Sequence, residues 1–455
     1  MTHESATARA ETQAETYANH VATLTSKYEQ ILAAGQSVLI HSGSEQHYFG
    51  DDRGIVFQAF GHFAHWLPVN RPDHFVLVKA GDKPRYFQVV PQDFWYDQSL
   101  QIDTDLEPAI HEAFDVVRLS SIDGIAKQTD LTACDYLGPD PAWAAAQGIA
   151  QAKSSGASKA GALIFACAMP CAAARAVKTE YEIDQLRLAN QQGLVGHAAA
   201  AECFLGGGSE FEIHNAFLQA CSLLEYETPY TNIVGLDTNA AVLHYQHKSR
   251  ARVPNAQLLL IDAGSRVNGY GSDITRTTPS QHCHPVMDSL ITGMEALELE
   301  IVASVKPGVA YPSLHDQAIA GVASLLVEHG IAKVAKSELI DRRLAHAFMP
   351  HGVGHLLGIQ VHDVGGHQRN ASGGRVEPPA HSPALRTTRM LSEDMVFTVE
   401  PGLYFIPMLL DPLRTGDARE ALHWPLIDEL IPSGGIRIED NIRVTATGAE
   451  NLTRR

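Results

Sequence analysis

Hydrophobic positions along this chain of 455 residues recur with two different spacings. Near the start, Leu24, Tyr28, Ile31 and Leu32 sit three or four residues apart, as on one face of a helix, and Gly35 supplies a stop. Residues 37–40 then read as a strand. Two apolar runs, 74–78 and 85–90, flank Ala80-Gly-Asp-Lys-Pro84 and predict a hairpin. Helical and strand patterns continue to about Gln151, and 153–159 is polar and reads as a loop. Further on, Thr179 with Glu182 and Ser209 with Glu212 have the spacing of helix capping boxes. The first precedes a helix carrying Ile183, Leu186, Leu188 and Leu194, the second one carrying Phe211, Ile213 and Phe217. Strands are predicted at 230–234 and 240–244, and helices at 285–305 and 313–329. The pattern predicts an α/β (α+β) chain in two parts: an N-terminal α/β domain over 1–172 and a second domain over 173–455. The order helix, helix, strands, helix, helix, strands suggests two similar halves converging on a site.

Three apolar strands in the second part each deliver a carboxylate. Leu258-Leu-Leu-Ile runs into Asp262, a glycine turn leads to a second strand carrying Asp273, and 395–399 runs into Glu400. In 434–441, Arg437, Glu439 and Asn441 alternate with Ile436, Ile438 and Asp440, which puts Arg437 and Glu439 on one strand face. Asp262 also suits the turn before Gly264, and Glu439 also suits an ion pair with Arg437 or Arg443. Those readings leave the recurrence unexplained, since a buried carboxylate is costly unless paired or coordinated to a metal. His351, His355 and His362 fall within a dozen residues, among glycines and short apolar side chains. Imidazole binds a metal or moves a proton near neutral pH. Four carboxylates and one imidazole carry a charge of about −4, which two divalent cations cancel. Oxygen and nitrogen donors without a thiolate favour Mn²⁺ or Co²⁺. Such a pair activates one water for hydrolysis.

Charge narrows the choice of partner. The 52 acidic residues outnumber the 34 basic ones for a net charge of −18, which argues against a nucleic-acid or anionic-membrane partner. The first residues lack the basic and apolar regions of a signal peptide. The apolar stretch 161–174 is short and carries Pro170, so no membrane span is expected. Cys134, Cys167, Cys171, Cys203, Cys221 and Cys283 match no zinc or redox spacing and read as buried free thiols of a cytoplasmic protein.

Taken in order, Asp262, Asp273, His355, Glu400 and Glu439 resemble the dinuclear metal site of the pita-bread metallopeptidases. That family includes methionine aminopeptidase, aminopeptidase P, prolidase and creatinase. The resemblance is greatest to its bacterial prolidase (Xaa-Pro dipeptidase) branch, which includes the organophosphorus acid anhydrolases. It is carried by Ser272-Asp-Ile-Thr-Arg-Thr277, His351-Gly-Val-Gly-His355, Val361-His-Asp-Val-Gly-Gly366, Val399-Glu-Pro-Gly-Leu-Tyr404 and Gly434-Gly-Ile-Arg-Ile-Glu-Asp-Asn441. The resemblance extends over most of the chain, through Phe49-Gly-Asp-Asp52 and Asp93-Phe-Trp95.

The resemblance implies a creatinase-like N-terminal domain before a pseudo-symmetric pita-bread domain. It implies two divalent ions per subunit, held by those five residues, and hydrolysis of dipeptides with C-terminal proline. Glu400 is then the proton shuttle. His362 and His244 stabilise the oxyanion and bind the substrate's carboxylate end, and Arg437 grips that carboxylate. His351 orients a ligand or the pocket. Tyr230 contacts substrate, and Asp52 and Trp95 reach into a neighbouring subunit's pocket in a homodimer. Arg437 as a partner of Glu439, His244 as a packed strand residue and Trp95 as core are the structural alternatives. Aminopeptidase P activity is the alternative function, with phosphotriester hydrolysis as a side reaction. A metal-free binding protein of the same fold would require missing ligands, and all five are present.

Overall fold

The computed structural model describes residues 3–32, 35–95, 97–100, 102, 106–149, 168–370 and 373–454. The loop expected over 153–159 and Cys167 lie outside the described residues. The chain divides into two compact units at Glu182/Ile183, with Asn370–Gly374 grouped with the first.

The first unit is built on a mixed sheet. Its long helix α1 (His3–Ile31) buries Tyr17, Val21, Leu24 and Tyr28, spaced at three and four residues as the sequence predicts. The strands are β1 (Ser37–His41), β2 (Phe75–Lys79), β3 (Arg85–Val89), β4 (Asp115–Leu119) and β5 (Cys134–Leu137), in the order β4-β3-β2-β1-β5. The predicted hairpin is present, with Phe75 opposite Phe87 in antiparallel register. The Tyr17 hydroxyl donates to the carbonyl of Trp66 at 2.8 Å, so the indole and the helix are fixed together.

Both predicted capping boxes form. Thr179 and Glu182 exchange hydrogen bonds at the start of α2 (Glu180–Leu205), and Ser209 and Glu212 do so at the start of α3 (Glu210–Cys221). Next come β6 (Ile233–Leu236), β7 (Leu258–Ala263) and β8 (Ile274–Pro279), an antiparallel sheet with β7 in the centre. Every residue of β7 is buried, which explains why it reads as one apolar run rather than an alternating one. Phe204, Ile213 and Phe217 of α2 and α3 pack against Val234, Leu259 and Ile261. Helices α4 (Pro285–Ala303) and α5 (Tyr311–Glu328) follow. Then come β9 (Val396–Val399), β10 (Gly402–Tyr404), β11 (Gly435–Arg437), β12 (Asp440–Val444) and β13 (Ala449–Asn451). Strands β9, β12 and β13 form a second sheet, and β10 pairs with β11.

Two sequence expectations are corrected. Residues 240–244 do not form a strand: a 3₁₀ turn (Asp237–Ala241) takes their place. Asp237 holds a left-handed backbone (φ +52°), and its carboxylate accepts from the amides of Gln257 and Leu258, which turns the chain away from a ladder. The run 434–441 is two strands, because β11 pairs with β10 while β12 pairs with β9. Of the described cysteines, Cys134, Cys171 and Cys221 are buried, and Cys203 and Cys283 are half-buried.

Candidate active site

Four separate pairings bring the predicted residues together. Asp262 is not a turn residue; it lies within β7, directly opposite Thr275. Asp273 precedes β8, and its backbone is clamped by the Asn441 side chain, which accepts from the Asp273 amide and donates to its carbonyl. Between them Gly264 packs so tightly that a β-carbon there would sit 2.1 Å from the Ser272 carbonyl oxygen. A bridge between Thr275 and Glu439 links the first sheet to the β11–β12 junction. The loop 353–355 lies along β9: the Thr398 amide donates to the His355 carbonyl at 2.9 Å and the Glu400 amide to the Val353 carbonyl at 2.9 Å. Gly354 makes this approach possible, since a β-carbon there would meet the Thr398 carbonyl oxygen at 2.1 Å. His355 and Glu400 are thereby set side by side.

Asp262, Asp273, His355, Glu400 and Glu439 all line one cavity of about 310 Å³. Ligating atoms of Asp273, His355 and Glu439 lie within 4.8 Å of one another. The His355 Nδ1 meets the Leu356 carbonyl at 3.1 Å. A carbonyl only accepts, so the proton sits on Nδ1 and the Nε2 lone pair is exposed. That nitrogen faces Asp273 at 3.3 Å and Glu400 at 3.7 Å. A lone pair directed at two acids is repulsive unless a cation intervenes. Fixing a ring through its other nitrogen in this way is the usual arrangement of a metal-binding histidine. Asp262 Oδ1 is buried and accepts no hydrogen bond from the described residues.

The charge balance points the same way. Burial, then Asp262, pushes the Asp273 carboxyl up to about 8. Glu439 is driven well above the carboxylate range by burial and then by Asp273, and Glu400 by burial and then by Glu439. Among the described residues, the buried cation facing these acids is Arg437. The donor set therefore fits divalent metal ions: hard oxygens, one imidazole and an excess of negative charge.

Arg437 does not pair with Glu439. Its Nη2 donates to Asp262 Oδ2, its Nη1 to the Tyr404 hydroxyl at 2.9 Å, and its Nε to Thr275 Oγ1 at 3.1 Å. The Thr275 hydroxyl donates to Glu439 Oε2 at 2.6 Å. The Tyr404 hydroxyl in turn donates to His351 Nε2 at 3.0 Å, because His351 Nδ1–H is committed to the Gly352 carbonyl. Burial, followed by Arg437, lowers the His351 pKa to about 3, so its ring is neutral. Arg443, the other cation considered for Glu439, pairs with Asp394 and Glu450.

The remaining candidates separate into two groups. His244 and His362 line the cavity, both exposed, and the His362 ring stands edge-on to His355 with centroids 4.4 Å apart. His244 is therefore not a packed strand residue. The Tyr230 hydroxyl is buried near Asp262 and Asp273, although Tyr230 is not among the cavity-lining residues. Asp52 and Trp95 belong to the first unit. Both are exposed, Trp95 at 77%, so Trp95 is not core. Sequence reasoning missed Thr275, Tyr404 and Asn441, which lie inside the quoted motifs. It also missed Arg386, an exposed cavity-lining cation that makes no ion pair with the described residues.

Comparison with known proteins defines the class. Residues 184–446 match metallopeptidase family M24, and residues 15–157 match the N-terminal domain of Xaa-Pro dipeptidase. The chain belongs to metallopeptidase family M24, whose members bind divalent metal ions. It is 41% identical over 439 residues to an Xaa-Pro dipeptidase of Marinobacter nauticus, covering 96% of both chains. It is 39% identical over 452 residues to an Xaa-Pro dipeptidase of Shewanella baltica, covering 96% of this chain and 97% of the relative. Aminopeptidase P from E. coli, solved with the inhibitor Pro-Leu, superposes with a TM-score of 0.74 at 23% identity over 96% of this chain and 94% of that one. Proline aminopeptidase P II from Yersinia pestis gives 0.72 at 24%, over 97% of this chain and 96% of that one. At such identities these two establish the pita-bread fold. Among the described residues, no helix is long and apolar enough to cross a membrane.

Proposed function

We propose that the protein is an Xaa-Pro dipeptidase, a metal-dependent hydrolase of dipeptides ending in proline. The observation that carries hydrolysis is the convergence of four carboxylates and the His355 Nε2 lone pair on one cavity. The substrate class is supported by the 41% and 39% identity to Xaa-Pro dipeptidases over nearly the whole chain.

Asp262, Asp273, His355, Glu400 and Glu439 would hold two divalent ions, for which we assign Mn²⁺, with Co²⁺ as the alternative. When bound, the pair supplies a nucleophilic water at neutral pH and a Lewis acid for the scissile carbonyl. Glu400 takes the proton released by the nucleophile and returns it to the proline nitrogen as the C–N bond breaks. Arg437, with every nitrogen engaged, fixes Asp262 directly and Glu439 through Thr275. Tyr404 and His351 extend that chain. The free carboxylate of the substrate falls to Arg386, whose planar fork is unengaged among the described residues. His362 and His244 face the cavity and donate to the developing oxyanion and the substrate's end. Tyr230 lies behind the acids and backs the substrate site.

We also read the exposed Phe49, Asp52 and Trp95 of the first unit as a surface covered by a second copy in a homodimer. The free cysteines are consistent with a cytoplasmic setting. Hydrolysis of a Xaa-Pro dipeptide and a Xaa-Pro-Xaa tripeptide by chelator-stripped protein, with and without added Mn²⁺, tests the assignment. Dipeptide cleavage only with Mn²⁺ is expected. Preferential tripeptide cleavage transfers the protein to the aminopeptidase P activity.

A further inference from the structure

The loop between β6 and β7 carries Leu243 and His244 to the cavity, yet no ladder holds it. Local preference does not hold it either. Asp237 and Lys248, near its two ends, both adopt left-handed backbone (φ +52° and +47°), which residues other than glycine resist. Besides the Asp237 carboxylate and a bond from the Phe211 amide to the Ser249 carbonyl, one buried carboxylate gathers it. Glu210, the first residue of α3, is 1% exposed and has no ion pair among the described residues. Its Oε1 accepts from the Leu236 amide at 3.0 Å and from Asn239 Nδ2 at 2.8 Å. Its Oε2 accepts from the Tyr245 hydroxyl and the Ser249 amide, both at 2.8 Å. The four donors span the segment from Leu236 to Ser249, and Tyr245 directly follows His244.

We infer that Glu210 is a positioning residue, a buried carboxylate that fixes the 236–249 loop and thereby sets His244 over the substrate. This rests on the proposed role of His244. Two donors on each oxygen require a carboxylate. A glutamine in its place offers one accepting atom and one donating atom. The Tyr245 hydroxyl can turn to accept from that amide, but the Ser249 N–H cannot. Glu210→Gln therefore unpairs the Ser249 amide, loosening the stretch that follows His244, and leaves the five acid and imidazole donors of the cavity untouched.

The test is a double-mutant cycle on the Mn²⁺-loaded full chain, with kcat and KM measured on a Xaa-Pro dipeptide and Mn²⁺ affinity measured by calorimetry. Glu210→Gln is expected to lower kcat/KM about tenfold with Mn²⁺ affinity unchanged, and to cause no further loss in a His244→Ala background. An equal loss in both backgrounds overturns the inference, because it marks general structural damage. If His244→Ala is as active as the parent, the role of His244 itself is refuted, whatever Glu210→Gln does. Should Glu210→Gln not fold, Tyr245→Phe keeps the carboxylate and removes only the hydroxyl, with its bonds to Glu210 and Asn239. A drop of about threefold that vanishes in His244→Ala supports the inference, and an undiminished drop there overturns it.

Discussion

Replacing Arg437 with methionine should make divalent ions bind more tightly. The guanidinium is the buried cation facing Asp262, Asp273, Glu400 and Glu439, and it pairs directly with Asp262. Removing one partner of a buried ion pair leaves an uncompensated charge, at a cost of about 3–5 kcal/mol. In chelated protein that full cost falls on the folded state. With two divalent ions bound, Asp262 is balanced by the metals, and what is lost reduces to the hydrogen bonds with Tyr404 and Thr275, together about 1–2 kcal/mol. The difference, roughly 2–3 kcal/mol, appears by thermodynamic closure as tighter ion binding, on the order of 30- to 150-fold. Thermal unfolding reads the same cycle. At roughly 2–4 °C per kcal/mol for a unit of this size, Arg437→Met should lower Tm by about 10 °C in chelator and by about half that or less in saturating Mn²⁺. Equal Tm shifts in the two conditions, or weaker Mn²⁺ binding by calorimetry, would refute the premise that Arg437 and the metals balance the same charge.

Chelated protein should lose stability as pH rises from 6.5 to 8. Asp273, Glu400 and Glu439 have folded pKa values above their unfolded ones, so the folded state holds extra protons that it gives up as pH climbs toward the Asp273 value of about 8. Saturating Mn²⁺ should flatten that slope in a Tm-against-pH series. Arg386→Met should raise KM for a Xaa-Pro dipeptide by about 10- to 100-fold, the worth of a charge-assisted hydrogen bond, and leave the C-terminal amide of the same peptide unaffected. Equal effects on both substrates would place the carboxylate elsewhere. Tyr404→Phe cuts the link between Arg437 and His351. It should lower kcat about tenfold at unchanged metal content, measured by steady-state kinetics and elemental analysis.

How much of this was legible in the sequence depended on whether a residue's surroundings were local. β7 was readable because burial on both faces leaves an unbroken apolar run, and the capping boxes because their bonds close within three residues. The strand expected at 240–244 failed because its short apolar run is overruled by Glu210 and Asp237, whose bonds reach distant backbone. The alternation in 434–441 read Arg437 and Glu439 as one face of a single strand, and both do line the cavity. It did not reveal that the chain changes partner strands between them. The partner of Arg437 was unreadable, since Asp262, Glu439 and a substrate carboxylate are all chemically apt. Only the tertiary geometry selects Asp262. Tyr404 reads as core because its ring is buried, and its function lies in the hydroxyl. Arg386 sits in an irregular segment without periodicity, where an arginine carries no pattern of its own.

The five donors come from separate stretches of chain: the end of β7, the turn before β8, the loop at 355, the end of β9 and the junction before β12. Asp262 and Asp273 share the β7–β8 hairpin, but His355, Glu400 and Glu439 come from distant stretches, so no contiguous motif of the kind that captures a metal in an unfolded chain carries the proposed set. Ion binding therefore cannot nucleate this fold, unlike small metal-ordered domains whose free energy of binding is their free energy of folding. The barrier to folding is set by long-range strand pairing, and metal acquisition is a late event on an assembled scaffold. A nascent chain in a metal-poor cell would still reach its native topology and wait there for its ions, so supply of the metal governs activity rather than the amount of folded protein.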